Sequence, residues 1–109
     1  MISIKVKSNK KSYVGVEISG HSNYDEVGKD IICSAVSILS YTLLNSLNSI
    51  GEIDEKYISI EEKETEGLLA INIAKKNEKT NILFENFLVG IELLIEDYSN
   101  YITLKHEEV

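Results

Sequence analysis

Between Gly20 and Ser37 the hydrophobic period of this chain changes. Before it, Val14, Val16 and Ile18 alternate with Gly15, Glu17 and Ser19, the two-residue period of a half-buried strand. After it, Ile32, Val36, Leu39, Leu43 and Leu47 recur at three- and four-residue steps, the period of a helix with one buried face. A strand must therefore end near Gly20 and a helix begin near Ile31. The stretch between reads G-H-S-N-Y-D-E-V-G-K-D-I-I-C-S-A-V-S and carries the only cysteine, Cys33, and one of the two histidines, His21.

Asp30 directly precedes the helical run and is the expected N-cap, because its carboxylate accepts from the first amides of a helix. Cys33 then falls at about the third helical position, near unpaired N–H groups and the positive end of the helix dipole. At about 100° per residue, Asp30, Cys33 and Ser37 share an arc of roughly 60° beside the Ile32/Val36/Leu39/Leu43 stripe. A thiolate is the nucleophilic form of cysteine, and a helix start with a nearby histidine is a setting that favours it. A buried structural cysteine after a surface histidine has the same spacing, so spacing alone leaves both readings open.

The motif goes further. It resembles the ribosomal-processing cysteine protease family (Prp, YsxB-like), whose members carry Gly-His, a loop of similar length, then Gly-x-Asp-Ile-Val-Cys-Ala-Ala-Val-Ser. The matching residues are Gly20, His21, Gly28, Asp30, Ile31, Cys33, Ala35, Val36 and Ser37. Ser22 and Ser34 stand where alanine is common, and Ile32 where valine is common. The resemblance implies one domain over residues 1–109. It implies a cysteine endopeptidase that removes the N-terminal extension of large-subunit ribosomal protein twenty-seven.

Roles follow from the chemistry. Cys33 attacks the scissile carbonyl, and His21 takes the thiol proton and returns it to the leaving amine. Amides at the helix start, including those of Cys33 or Ser34, hold the oxyanion. Asp30 caps the helix and is also the candidate to orient His21. Ser37 either bonds substrate backbone or back-bonds to the Cys33 carbonyl. Gly20 and Gly28 bracket the loop, as hinges or as turn residues. No cofactor or metal is expected.

The runner-up is a noncatalytic ribosome-assembly or adaptor module that binds a basic ribosomal protein. A redox-sensing thiol is a weaker third reading, because there is no second cysteine to resolve an oxidised one.

Charge narrows the partners. The net charge is −7, and all eleven basic residues are lysine. Without arginine there are no bidentate clamps on phosphate or guanine. Direct nucleic-acid binding is therefore disfavoured and a basic protein partner suits better. No apolar run is expected to approach the length that spans a bilayer, so a cytoplasmic protein away from membranes is expected.

The remaining chain reads simply. Ile2, Ile4 and Val6 mark a first strand to about Ser8, and Asn9–Ser12 a turn before a strand from Tyr13 to Gly20. The first helix runs from about Ile31 to Ser49. Strands follow at Tyr57–Glu61 and around Leu69–Ile73, joined by the acidic turn Glu62–Glu66. A second helix, capped by Thr80 or Asn81, buries Phe84, Phe87, Leu88, Ile91, Leu94, Ile95 and Tyr98. Gly90 within it predicts a close approach of another element. Ile82, Val89 and Leu93 widen its apolar arc, which fits either a homodimer or deeper burial. Ile102 and Leu104 mark a last short strand, and His106–Val109 a polar tail. The order β-β-α-β-β-α-β defines an α+β domain: a largely antiparallel sheet with two helices packed on it.

Overall fold

The computed structural model describes residues 1–20 and 29–109, with the backbone alone at positions 29 and 30. The hydrophobic alternation at the N-terminus becomes β1 (Ile2–Asn9) and β2 (Ser12–Gly20). They pair antiparallel with Ile4 opposite Ile18 and Val6 opposite Val16. Lys10 and Lys11 connect them with φ of 51° and 68°. Two consecutive left-handed residues give the tight turn whose twist matches the strands it joins.

The expected order holds throughout. α1 spans Lys29–Ser49, β3 Ile58–Lys63, β4 Leu68–Ile73, α2 Glu78–Tyr98 and β5 Ile102–Glu108. Short 3-10 turns precede β3 (Glu55–Tyr57) and separate it from β4 (Glu64–Glu66). The five strands lie in the order β3-β4-β2-β1-β5. Three pairings are antiparallel, and β5 runs parallel to β1.

One face of the sheet is apolar. Ile2, Ile4, Val16, Ile18, Leu69 and Ile71 are all buried on it. The helices cover that face with Ile32, Val36, Leu43 and Leu47 from α1 and Phe84, Phe87, Leu88 and Ile91 from α2. The opposite face carries ion pairs such as Lys7–Glu17 (3.5 Å) and Lys5–Glu107 (3.4 Å), which at such exposure add little stability.

Several boundaries differ from the reading of the sequence. The cap of α2 is Asn77, not Thr80 or Asn81: its side chain accepts from the Thr80 amide, and the Thr80 hydroxyl accepts from the Asn77 amide. This reciprocal pair satisfies two otherwise orphaned donors. β5 continues through His106 to Glu108, because parallel pairing with β1 supplies backbone partners to a segment whose side chains are polar. His106 is exposed, as expected.

α1 begins at Lys29, so Asp30 lies inside its first turn instead of at its cap. Ile31–Ser49 is also long and apolar enough, by length and composition, to cross a membrane. The expectation that no segment approaches that length is thus corrected. In the fold, the Ile32/Val36/Leu43/Leu47 stripe of this helix packs into the core.

Ile82, Val89 and Leu93 are exposed, which removes deeper burial as the reason for the wide apolar arc of α2.

Candidate active site

Cys33 is the fifth residue of α1, half-buried against the edge of the core. The helix is aimed by its neighbours: Ile32 is fully buried and Val36 nearly so. That leaves Cys33 rotated to the margin of the core, as the 3.6-residue period requires.

Cys33 lines a cavity of about 270 Å³. α1 contributes Cys33, Ser37 and Tyr41 to its wall, three residues at four-residue steps on one face of the helix. β2 contributes Gly20 at its end, and the β3–β4 side contributes Glu62 and Leu68.

Gly20 is held in a conformation that favours glycine. Its φ is +89°, and a β-carbon there would collide with the carbonyl oxygen of Met1. The strand therefore brings its bare backbone to the cavity wall. The residue is paired to Ile2 within the sheet, which accounts for glycine by turn geometry and close approach.

The far side of the cavity is closed by a contact between distant elements. The Tyr41 phenol donates a hydrogen bond to the Glu62 carboxylate of β3. This bond, with burial and the negative charges of Glu62 and Glu64, raises the Tyr41 pKa above 10.0. Ser40, one position before, is buried and donates to the Val36 carbonyl at 2.7 Å, so it serves the helix.

The structure thus brings Gly20, Cys33 and Ser37 to one cavity. Ser34 is exposed and does not line it. His21, Gly28 and the Asp30 side chain lie outside the described residues. Within α1, the i to i−4 spacing sets the amides of Cys33 and Ser34 toward the carbonyls of Lys29 and Asp30, so the oxyanion role expected of them competes with the bonds of the helix itself.

Tyr41, Glu62 and Glu64 were not foreseen as wall residues. Tyr41 was detectable by carrying the Cys33–Ser37 step one turn further. The two glutamates come from a hairpin with no local link to Cys33 in sequence. Among the described residues no group of three or more His, Cys, Asp or Glu is placed to hold a metal ion.

A cysteine near a helix start, beside a cavity at the margin of a sheet-and-helix core, is a setting that a thiol-dependent hydrolase can use, and the family to which the chain belongs is one of that class. The family model for the cysteine protease Prp matches residues 1–103. The chain belongs to that family and is a cysteine protease. It is 26% identical over 103 residues to the ribosomal processing cysteine protease Prp of Bacillus subtilis, covering 86% of each. It is 25% identical over 109 residues to the Staphylococcus aureus protein of the same name (98% of this chain, 100% of that one).

A crystal structure of a Streptococcus mutans protein is similar at 34% identity with a TM-score of 0.86, covering 100% of this chain and 99% of that one. The S. aureus Prp structure with a covalently linked product peptide shares the fold, at 21% identity and a TM-score of 0.85, over 97% and 99% of the two chains.

Proposed function

We propose that residues 1–109 form one protease domain that removes the N-terminal extension of large-subunit ribosomal protein twenty-seven through a Cys33–His21 dyad. The observation that carries the reading is that Gly20 and Cys33 line one cavity, and His21 directly follows Gly20 in the chain. The names of the relatives, ribosomal processing cysteine proteases, supply the substrate class.

The chemistry runs in two halves. The Cys33 sulfur attacks the scissile carbonyl carbon while His21 accepts the thiol proton. Unpaired amides at the start of α1 stabilise the negative oxygen of the tetrahedral intermediate. The carbon–nitrogen bond breaks, His21 delivers its proton to the leaving amine, and a thioester remains. Water, deprotonated by His21, then attacks the thioester; the carbon–sulfur bond breaks, the N-terminal fragment leaves with a new C-terminal carboxylic acid, and the Cys33 thiolate regains a proton from His21.

Asp30 orients His21 through its carboxylate. Ser37, on the cavity wall one turn beyond Cys33, bonds the substrate backbone. Gly20 holds the end of β2 at the cavity wall, and Gly28 supplies the freedom at the far end of the loop that admits substrate. Ser34 is a supporting residue at most, given its exposure.

Two further statements belong to this reading. The enzyme acts in the cytoplasm as a homodimer, without direct contact to nucleic acid or membrane. The exposed stripe of Ile38, Ile82, Val89 and Leu93 on the two helices supports a paired helical face. The net charge of −7 suits a basic ribosomal protein.

The test is direct. The protein is incubated with full-length extended ribosomal protein twenty-seven and the products are weighed by mass spectrometry, with Cys33→Ala alongside. Loss of one N-terminal segment with wild type, and none with Cys33→Ala, is the expected result. An intact substrate, together with slow alkylation of Cys33 by iodoacetamide, would leave the adaptor reading in its place.

A further inference from the structure

We propose that the substrate cleft does not end at the Cys33 cavity but continues along α1 toward Asn48, and that Tyr41 and Glu62 determine how far a substrate chain enters it. The inference deepens the reading above, since it rests on Cys33 as the nucleophile.

The geometry comes from two facing elements. Past Tyr41, α1 presents Leu44, Asn45 and Asn48 on the face that carries Cys33 and Ser37. Opposite them, β3 presents Ile58, Ile60 and Glu62, alternate residues on one face of the strand. Glu62 meets Tyr41, and Ile60 and Ile58 lie further on beside Leu44 and Asn48. A second cavity, of about 340 Å³, occupies that further part. Tyr41 and Glu62, joined by a hydrogen bond, line the first cavity and not the second, and each precedes or follows the lining of the second along its own element by two or three residues (Tyr41 before Leu44, Glu62 after Ile60).

The occupant this cleft fits is an extended segment of the protein substrate. A peptide placed with its scissile bond at Cys33 has to leave the first cavity, and the Tyr41 end leads into the second. From Cys33 to Asn48 the helix rises by about 22 Å, the length of roughly seven extended residues. Ile60 is 53% exposed, an isoleucine at the groove margin that a bound chain would cover. Glu55, Glu62 and Glu64 line the two cavities and no lysine does, among the described residues, which suits a basic chain.

Tyr41 and Glu62 are specificity-determining in this arrangement. While bonded they bar the passage between the cavities. When Tyr41 turns out, the chain passes and covers Ile60.

The experiment uses Cys33→Ala protein, which binds without turnover, and fluorescence anisotropy. The probes are a labelled peptide around the processing site of ribosomal protein twenty-seven, the same peptide with four more native residues at its N-terminal end, and the same with four more at its C-terminal end. Extension at one end only is expected to tighten binding roughly fivefold or more. Adding Ile60→Ser is expected to abolish that gain. Adding Tyr41→Phe or Glu62→Gln is expected to change it about threefold or more. Thermal unfolding verifies that each variant is folded; Tyr41 and Ile60 are both exposed, and two independent walls are probed.

No gain from either extension, a gain indifferent to both walls, or no binding of any peptide overturns the proposal. Length-dependent binding that obeys these rules, in a protein whose wild type cleaves none of the peptides, would keep the cleft and reject the protease reading of this substrate.

Discussion

A β-carbon built on Gly90 would stand 2.6 Å from Cδ2 and 3.0 Å from Cδ1 of Leu39. The glycine of α2 is therefore the notch into which α1 sets a leucine. Gly90→Ala gains about 1 kcal/mol of helix propensity, and overpacking costs roughly 1–3 kcal/mol. The atoms in the way are the mobile end of a half-buried side chain, so the cost falls at the low end. We expect Gly90→Ala to destabilise by about 1 kcal/mol or less. In a Leu39→Ala background the same change should become stabilising by up to ~1 kcal/mol. Urea unfolding of the four proteins of this cycle measures it; equal effects in both backgrounds would remove Leu39 as the cause.

Cleavage kinetics separate the two members of the proposed dyad. Cys33→Ala should abolish processing while the far-UV spectrum and unfolding temperature stay near wild type. His21→Ala should lower the turnover rate at least ~10²-fold, the usual worth of a positioned base. A His21→Ala enzyme with most of its activity would make His21 a turn residue only.

Asp30 lies in the first turn of α1, where a carboxylate interacts with the helix dipole by about 0.3–1 kcal/mol. Asp30→Asn should therefore move stability by no more than ~1 kcal/mol. If the carboxylate orients a protonated His21, activity should nevertheless fall severalfold. Thermal unfolding and kinetics on the same samples decide. Full activity would confine Asp30 to the helix.

Tyr41 yields a pH signature. Its pKa is raised above 10.0, first by the hydrogen bond to Glu62, then by burial and by the charges of Glu62 and Glu64. A raised value means that the folded state holds the proton more tightly than the unfolded state. The associated stabilisation is full below pH 10.0 and is lost as pH rises through the folded value. In Glu62→Gln the phenol should titrate closer to 10.0. The phenolate absorbance difference between each protein and its Tyr41→Phe derivative reads this one tyrosine out of six. An unchanged titration in Glu62→Gln would mean that the bond is not kept in solution.

Element identity and order were already contained in local sequence. Ile2/Ile4/Val6, Val14/Val16/Ile18 and Leu69/Ile71/Ile73 alternate because each strand buries one face, and Ile32 to Leu47 step by three and four because α1 does likewise. Gly90 betrayed the helix–helix contact because a glycine inside a helix has a cost that only a close neighbour explains. The Cys33–Ser37 face followed from helical geometry, and the motif around them pointed to the family.

What local sequence did not contain was anything made by partners distant in the chain. β5 reaches Glu108 because β1 offers it backbone hydrogen bonds, although its own side chains are polar. Asn77 caps α2 in preference to Thr80 because the chain path lets each side chain reach the other's amide. Tyr41 became a wall of the Cys33 cavity only when the β3–β4 hairpin, about twenty residues on, brought Glu62 across to it. Periodicity records what one element needs to bury. Which elements then face each other across a cleft is settled by strand order and packing, and so the tertiary structure alone decided the shape and charge of the ground around Cys33.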